Sequence, residues 1–274
     1  MKPDLVTRPL TEPEIEAARD FAPREWNLDL AAFFRLHFNK PYFYPLAGIL
    51  YGDLIGLGNG IINDKVGWLG NIIVLPSYRR QGIGYRLTEK LMRILSDRGC
   101  TTQLLIATEM GEPVYRKLGF VTCSTYEFYK REKIFVCDTS SRIRKIQPVE
   151  FPGILKMDRN ISGENRQSLL EQFIPSGWLC SNEAGTGIGG FYLPAFGNGL
   201  ILAQNADSGI QLLKFRLMRD RMTSVVIPAQ NQAARDFLRE NGFIKYLEVP
   251  RMALGPEPAW KRENVFNRGA GYCG

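Results

Sequence analysis

Residues 74–87 read Val74-Leu75-Pro76-Ser77-Tyr78-Arg79-Arg80-Gln81-Gly82-Ile83-Gly84-Tyr85-Arg86-Leu87. The stretch ends an apolar run at a proline, passes two arginines and two glycines, and continues into an amphipathic segment. This order predicts a strand, a tight loop and the start of a helix. Glycines let backbone N–H groups approach a ligand, and a helix N-terminus adds about half a positive charge. A ligand that carries a diphosphate is therefore expected at this loop.

Two common phosphate loops do not fit this stretch. A dinucleotide-binding loop needs G-x-G-x-x-G and an acidic residue about 20 positions later, and a Walker loop needs G-x-x-x-x-G-K-[ST]. This chain has instead Arg79-x-x-Gly82-x-Gly84 after a strand that ends at a proline. That pattern resembles the pyrophosphate loop of the GNAT superfamily of acyl-CoA-dependent N-acyltransferases.

A second motif follows in the first half of the chain. Residues 112–120 read Glu112-Pro113-Val114-Tyr115-Arg116-Lys117-Leu118-Gly119-Phe120. They are similar to a GNAT helix that carries a tyrosine and closes on Leu-Gly-Phe. Because the two motifs occur in the GNAT order and spacing, the first half resembles a GNAT domain. The resemblance implies an α/β fold with a mixed sheet and acetyl-CoA as cosubstrate, without a metal.

The resemblance also assigns roles to residues. It gives the pyrophosphate to the backbone N–H groups of residues 80–85, and the pantetheine arm and thioester to the backbone of residues 72–74. It makes the Tyr115 hydroxyl the general acid for the leaving thiolate, and it requires no nucleophilic residue. The implied cofactor-binding residues are Ile72, Ile73, Val74, Arg79, Arg80, Gln81, Gly82, Ile83, Gly84, Tyr85 and Thr108.

The sequence leaves the general base open. Related proteins often carry an acidic residue just before an Ala-Thr pair, whereas this chain has Ile106 there. Glu109, Glu112 and Asp53 are candidates, although a carboxylate in such a position is more often solvated or a helix cap, and a water chain is a further alternative. His37, the single histidine, either titrates near neutrality at the acceptor site or packs among aromatic neighbours.

Composition indicates two domains and limits the classes of binding partner that the protein can have. The chain has 274 residues, which is more than one ordinary domain of about 150 residues needs. Of these residues 45% are hydrophobic, which is enough to fill hydrophobic cores. The net charge of +7 is spread along the chain, which argues against a nucleic-acid-binding arm. Some basic residues do gather around the loop and its helix, where they could meet phosphates or form a solvated face. They are Arg79, Arg80, Arg86, Lys90, Arg93 and Arg98.

Nothing in the sequence indicates export or membrane insertion. Five scattered cysteines lack C-x-x-C spacing, so neither a disulfide framework nor a zinc site is predicted, and Cys100 and Cys123 are interpreted as structural. Residues 1–16 lack an apolar core, and no run reaches 18 apolar residues. We expect a cytoplasmic protein without membrane or nucleic-acid partners. The sequence does not decide whether the protein forms a homodimer.

Apolar runs and turn residues predict the elements of the first half. Strands are expected at 7–10, 43–50, 53–59, 66–75, 103–107 and 120–129, and helices at 11–21, 28–38 and 84–98. A helix crosses between the fourth and fifth strands, so these two should pair in parallel. The resemblance implies that they splay apart beyond Val74 and leave backbone groups for the pantetheine arm.

The second half repeats the first in altered form. Residues 235–243 read Arg235-Asp236-Phe237-Leu238-Arg239-Glu240-Asn241-Gly242-Phe243 and match residues 114–120 when the Gly-Phe pairs are superposed. On this register Leu238 replaces Tyr115 and has no proton to give. Residues 202–210, where a second phosphate loop would lie, lack G-x-G and carry Asp207, whose charge repels a diphosphate.

The whole chain thus resembles a tandem repeat of two GNAT-like domains with a degenerate C-terminal half. Residues 157–170 are similar to that half's helix signature, and residues 250–255 to its final strand. The predicted domains are residues 1–131, catalytic, and residues 142–255, GNAT-like without a phosphate loop. Residues 256–274 form a C-terminal tail that either lies across the surface or is loose.

These observations favour an N-acyltransferase. It would transfer an acetyl group from acetyl-CoA to a primary amine of a small or amino-acid-like acceptor, by direct attack in a ternary complex. A non-catalytic acyl-CoA-binding or regulatory module is the alternative, and a nucleic-acid-associated protein is supported by the basic pI alone. Aromatic residues either line the acceptor pocket or fill cores: Trp26, Phe34, Tyr42, Tyr44, Trp178, Phe191 and Tyr192.

Overall fold

The computed structural model describes residues 5–23, 26, 28–138 and 140–272. Two sequence-based expectations rest partly on residues that lie outside the described ones. They are the expectation from the five scattered cysteines, which include Cys273, and the expectation from residues 1–16, which include residues 1–4. The chain forms two compact units. The first unit contains the residues up to Val121 and a returning segment, Met252–Pro256, and the second contains Thr122–Arg251 and Glu257–Tyr272.

The first unit is built on a mixed sheet. Its strands are β1 (Val6–Pro9), β2 (Phe43–Leu50), β3 (Asp53–Asn63), β4 (Val66–Val74) and β5 (Thr102–Ile106). Its α-helices are α1 (Leu30–His37), α2 (Ile83–Asp97) and α3 (Glu112–Lys117). The strand order is β1-β2-β3-β4-β5, and all pairs except β4–β5 are antiparallel. The α/β mixed sheet predicted from the sequence is confirmed.

Helix α2 packs closely on this sheet because β3 presents glycines to it. Its buried leucines recur at every fourth position, Leu87, Leu91 and Leu95, which places them on one face of the helix. A Cβ at Gly56 would lie 2.9 Å from Leu87, and one at Gly60 would lie 3.0 Å from Leu95. The small residues thus let the start of α2 come close to the end of β4.

The parallel pairing predicted between β4 and β5 is confirmed and is short. Within the described residues it runs from Val66–Thr102 to Trp68–Leu104. A bulge follows in β4, where residues 71 and 72 lie opposite Gly58 alone, and Asn71 has a left-handed φ of 51°. The Asn71 amide donates to Asn59 Oδ1 at 2.8 Å. The bulge bends β4, and in the part of the chain that the structure describes, the edge of β4 beyond Trp68 has no partner strand.

One predicted helix of the first unit takes a different form. Residues 11–21 were expected to form a single α-helix and instead form two 3₁₀ segments, Glu12–Glu14 and Glu16–Phe21. The Glu14 carboxylate accepts hydrogen bonds from the backbone and hydroxyl of Thr11 and forms an ion pair with Arg8 at 2.6 Å. These bonds stabilise a single short 3₁₀ turn, so the first helical segment ends after three residues.

The second unit has strands and helices in a similar order. Its strands are β6 (Val121–Lys130), β7 (Ile143–Lys145), β8 (Trp178–Ser181), β9 (Ile188–Leu193), β10 (Leu200–Ala203), β11 (Ser224–Pro228), β12 (Ile244–Leu254) and β13 (Val265–Asn267), except that Val121 and residues 252–254 are assigned to the first unit. Its helices are α4 (Phe151–Ser162), α5 (Gln167–Leu170), α6 (Ala206–Arg219) and α7 (Gln232–Glu240). One sheet has the order β13-β10-β9-β8-β7, and β6 pairs with β11.

Matching hydrogen bonds support the internal repeat. The Phe120 amide donates to Tyr115 O at 3.0 Å after α3, and the Phe243 amide donates to Leu238 O at 2.9 Å after α7. Gly119 and Gly242 both have positive φ, at 93° and 75°, where a side chain would be strained. The two helix ends therefore have the same local geometry on the register that places Leu238 at the position of Tyr115.

The C-terminal segment differs from its expectation. Residues 256–274 were expected to lie across the surface or to be loose, yet 264–270 are buried and include β13. The burial comes from antiparallel pairing with β10, more than sixty residues earlier in the chain. A three-residue strand is too short to show a periodic pattern in the sequence.

Candidate functional site

The N-terminus of α2 is open to a ligand. Gly82 is its N-cap residue, with φ 80°, and no side chain caps the helix within the described residues. By contrast, α1, α6 and α7 are capped by the side chains of Asp29, Asn205 and Asn231. The first N–H groups of a helix have no intrahelical acceptor, so those of α2 remain available.

Two arginines lie beside this helix end. Arg79 Nε donates to the Val74 carbonyl at 3.0 Å, which ties the loop to the end of β4. Arg80 is exposed and adopts a left-handed φ of 61°, which turns the chain into Gly82. Together they add two positive charges to the donors of the helix terminus.

A cavity of about 910 Å³ lies in the first unit, along β4 and the starts of α2 and α3. Every residue predicted to bind the cofactor lines it except Gln81, whose side chain reaches toward Ser77 O at 3.5 Å. Tyr115 lines it as well. The structure therefore brings the two sequence motifs to one place.

Several lining residues were not found from the sequence. They are Pro23, Pro76, Tyr78, Thr88, Met110, Gly111 and Val114. Thr88 lies one helical turn after Gly84 and donates its hydroxyl to Gly84 O at 2.7 Å, so the helical period could have identified it. Pro23 and Met110 come from loops that carry no motif.

The residues present fit an acyl-CoA. Among the described residues, a Cβ at Gly82 would have no neighbour within 4 Å, and one at Gly84 would meet Val74 Cγ2 alone, at 3.9 Å. There is thus room beside the helix terminus for a phosphate. The edge of β4 beyond Trp68 has no paired strand within the described residues, so its backbone groups can bind an extended amide-containing chain.

Tyr115 lies half-buried on α3 at the cavity. Its ring lies 6.2 Å from that of Phe120, and a Cβ at Gly111 would lie 3.2 Å from its hydroxyl oxygen. Burial raises the pKa of Tyr115 to about 12. The hydroxyl therefore keeps its proton at neutral pH.

The three candidate bases lie in different surroundings. Glu109 is exposed and lines the cavity. Glu112 forms an ion pair with Arg116 at 2.6 Å, four residues later on α3. Asp53 is exposed at the β2–β3 turn and does not line the cavity. Of the three, Glu109 alone reaches the cavity.

His37 packs in the interior of the first unit. It is fully buried, its ring lies 4.8 Å from that of Phe33, and its Nδ1 lies 3.1 Å from the Tyr42 hydroxyl. Burial, and then the charge of Lys40, lowers the pKa of His37 to about 4. The packing interpretation is therefore the one that the geometry favours.

Most of the predicted aromatic wall also belongs to cores. Trp26 lines the cavity, whereas Phe34, Tyr42, Phe191 and Tyr192 are buried elsewhere. Tyr44 accepts a hydrogen bond from Arg98 at 2.7 Å, and Trp178 packs against Phe215 with the ring planes tilted by 54°. The aromatic side chains are thus split among several environments.

We predict that His37 makes the protein less stable in acid. An unfolded histidine binds a proton near pH 6.5, whereas folded His37 binds one only near pH 4, so the unfolded state holds more protons between these values. The free energy of unfolding should therefore fall as the pH falls from 6.5 to 4. We expect His37→Phe to remove about 2 kcal/mol of this loss, as measured by denaturant unfolding at pH 7 and pH 4.5. Equal pH dependence in both proteins would contradict this role.

The described cysteines, Cys100, Cys123, Cys137 and Cys180, are free thiols. Burial raises the pKa of the Cys100 and Cys123 thiols, and neither residue lines the cavity. In the part of the chain that the structure describes, no group of three or more His, Cys, Asp or Glu residues is placed to bind a metal. No described helix is both long and apolar enough to cross a bilayer.

Two family models match this chain. Residues 10–120 match the acetyltransferase (GNAT) family, and residues 154–267 match an acetyltransferase (GNAT) domain, so that together they cover most of the sequence. The chain is a tandem GNAT acetyltransferase. As a member of this family it is an acetyl-CoA-dependent N-acetyltransferase. The predicted tandem GNAT fold is confirmed.

Two curated relatives resemble this tandem GNAT protein, one along most of its length and one over a quarter of it. It is 25% identical over 209 residues to an uncharacterized N-acetyltransferase, YitH, of Bacillus subtilis (strain 168), with 73% of each chain covered. It is 34% identical over 76 residues to a glucosamine 6-phosphate N-acetyltransferase of Trypanosoma brucei brucei, which is 25% of this chain and 52% of that protein.

Solved structures share its fold at low identity. A candidate acetyltransferase from Pyrococcus horikoshii has a TM-score of 0.83 at 20% identity, covering 98% of this chain and 96% of that one. A tandem GNAT protein from the clavulanic acid biosynthesis pathway has a TM-score of 0.62 at 12% identity, covering 92% and 98%. These likenesses concern the fold alone.

Proposed function

We propose that the first unit binds acetyl-CoA in the cavity of about 910 Å³ and transfers its acetyl group to a primary amine of a small acceptor. One observation carries this proposal. The uncapped N-terminus of α2, the residues at the end of β4 and the protonated Tyr115 all line the same cavity.

The diphosphate is held mainly by backbone. The N–H groups of residues 80–85 include the free donors of the first turn of α2, and Gly82 leaves the approach to them open. Arg79 and Arg80 add charge, and Arg79 is held in place by its bond to Val74 O. The pantetheine arm lies along the backbone of residues 72–74, in place of a neighbouring strand.

The chemistry requires little from side chains beyond placement. Acetyl-CoA, when bound, supplies a thioester that a neutral amine can attack directly. Tyr115 holds a proton on its hydroxyl, because burial raises its pKa to about 12, and donates it toward the sulfur that leaves. The β4 backbone fixes the direction from which the amine approaches.

The acceptor is a small amine that is cationic in solution. Glu109 is the one acidic side chain among the described residues that line the cavity, and Trp26 and Met110, which are exposed, line it as well. A carboxylate and an indole face both attract an ammonium group. Glu109 then takes the proton that the amine must lose, directly or through water. An amino sugar is a reasonable first acceptor to test, given the relative named above.

We predict acetyl-CoA-dependent thiol release with at least one small primary amine, from a panel of amino sugars, amino acids and polyamines. Glu109→Gln should raise the KM for the amine about 10-fold, because it removes the attracting charge. Asp53→Asn is the matched control, since Asp53 is an exposed carboxylate of the same unit that lies outside the cavity. Unchanged amine KM in Glu109→Gln would remove this role for Glu109, and failure of every amine would refute the proposed acceptor class.

A further inference from the structure

The second unit contains the counterpart of the cofactor cleft. Strand β10 leads into α6 as β4 leads into α2, and β11 and α7 follow as β5 and α3 do. The matching amide bonds of Phe120 and Phe243, at the ends of α3 and α7, support this correspondence. A cleft between β10 and β11 would therefore be the place for a second acyl-CoA arm.

A strand of the chain itself fills this cleft. On one side, β13 pairs antiparallel with β10, and Asn264 Nδ2 donates to Ala203 O at 2.6 Å. On the other side, the Arg268 amide donates to Val226 O of β11 at 2.8 Å, and the Val226 amide donates to Asn267 Oδ1 at 3.0 Å. Residues 264–268 thus bond to both walls of the cleft.

Side chains of this segment fit the cleft closely. Phe266 is 1% exposed and lies against Gly209 in the first turn of α6, where a Cβ would overlap the phenyl ring. Asn267 is fully buried, and its Nδ2 donates to Gly199 O at 2.5 Å. The apolar contact and the amide bonds together define a site for an extended peptide.

The N-terminus of α6, which adjoins this cleft, is also occupied by groups of the chain itself. Asn205 Oδ1 accepts from the Ser208 amide at 2.9 Å, which caps α6, and Asp207 pairs with Arg142 at 2.6 Å. A diphosphate would have to displace the cap and approach a carboxylate. The residues of the second unit therefore do not fit acyl-CoA.

We propose that the cleft between β10 and β11 is a peptide-strand-binding site, filled by residues 264–268 of the same chain in place of an acyl-CoA arm, so that each chain binds one acyl-CoA. The strand adds to the edge of β10 by main-chain hydrogen bonds, with Phe266 and Asn267 as its anchors. Because residues 264–268 are covalently attached, their local concentration at the cleft is high, and the cleft stays occupied by them. The count of one acyl-CoA rests on the proposed function of the first unit.

Calorimetric titration of the full chain with acetyl-CoA tests the count. We expect one site per chain, and no remaining binding in the Gly82→Asp/Gly84→Asp variant. Two sites, or binding that persists in the variant, would overturn the proposal. No binding by the wild-type chain would refute the proposed function instead, and the peptide experiment would then decide the inference by itself.

A peptide of residues 264–272 tests the cleft directly. A chain that ends at Glu263 should have a lower Tm than the full chain, and the peptide should restore most of the loss. A peptide with Asn267→Ala should bind about 10-fold more weakly, because the buried hydrogen bonds that Asn267 makes with the Val226 amide and with Gly199 O are lost. Equal rescue by a scrambled peptide, or none by the native one, would overturn the proposal.

A second route does not depend on the shortened chain folding. In the full chain, Asn267→Ala should increase hydrogen exchange in β10, β11 and β13 at least severalfold, while the amides of β4 keep wild-type rates. Glu263→Gln, an exposed neighbour of the segment, is the control and should match the wild type. Unchanged exchange in Asn267→Ala would contradict the anchoring role of Asn267.

Discussion

Gly82→Asp/Gly84→Asp should abolish acetyl-CoA binding measurable by calorimetry, with a loss of affinity above 100-fold. Both positions lie where the proposed diphosphate meets the N-terminus of α2, and there is space for each new side chain. At an effective dielectric constant of about 20, like charges about 4 Å apart repel by about 4 kcal/mol. A 100-fold loss needs only about 2.7 kcal/mol, so even partial screening leaves a large effect.

The variant should nevertheless fold. Gly84 is the second residue of α2, a position where a carboxylate stabilises a helix. Gly82 has a left-handed φ of 80°, which aspartate tolerates better than most residues. The charge, rather than a loss of structure, is therefore what the titration reports.

Gly52→Asp/Gly99→Asp is the matched control. Both glycines have positive φ, 93° and 85°, and both lie outside the cavity, so the control adds the same two charges to the same unit. Neither new charge is placed among the residues that line the cavity, so the affinity should stay within about threefold of the wild type. An equal loss in both variants would mean that the α2 terminus is not the diphosphate site.

Tyr115→Phe should lower kcat by about 100-fold or more, the usual range for removal of a general acid. Phenylalanine keeps the ring that contacts Gly111 and Phe120, so the Kd for acetyl-CoA should change little. Because the pKa of Tyr115 is raised to about 12, the wild-type rate should show no loss from this group up to pH 10. Rates of acetylation and calorimetric Kd values, measured on the same preparations, separate the two effects.

Tyr51→Phe is the control for that experiment. Tyr51 is 80% exposed in a turn and does not line the cavity, so loss of its hydroxyl should leave kcat unchanged. If Tyr115→Phe keeps full kcat as well, another group must protonate the leaving sulfur. If instead both kcat and Kd are impaired, Tyr115 acts by shaping the cavity.

The sequence predicted the elements around the candidate site where the signal in the chain is local. A proline, two arginines and two glycines within residues 76–84 fix a strand end, a loop and a helix start, because each acts on its own backbone. The tyrosine helix was found for the same reason. The observed elements confirm this part of the interpretation, since β4 ends at Val74 and α2 begins at Ile83.

The features that were missed depend on distant partners. At the bulge, the Asn71 side chain donates a hydrogen bond to Asn59 on the neighbouring strand, and no residue pattern in β4 predicts this bulge. The burial of residues 264–270 comes from β10 and β11, and the role of Met110 comes from the shape of a cavity. Such placements follow from tertiary pairing, which local propensity does not encode.

The returning segment Met252–Pro256 has a consequence for how the protein is made. Domains generally fold as units during synthesis, the N-terminal one first. Here the first unit cannot be completed until residues 252–256 have been synthesised, and the second also needs β13. The nascent chain must therefore carry an unfinished first unit through most of translation, and both units reach their final form at nearly the same moment.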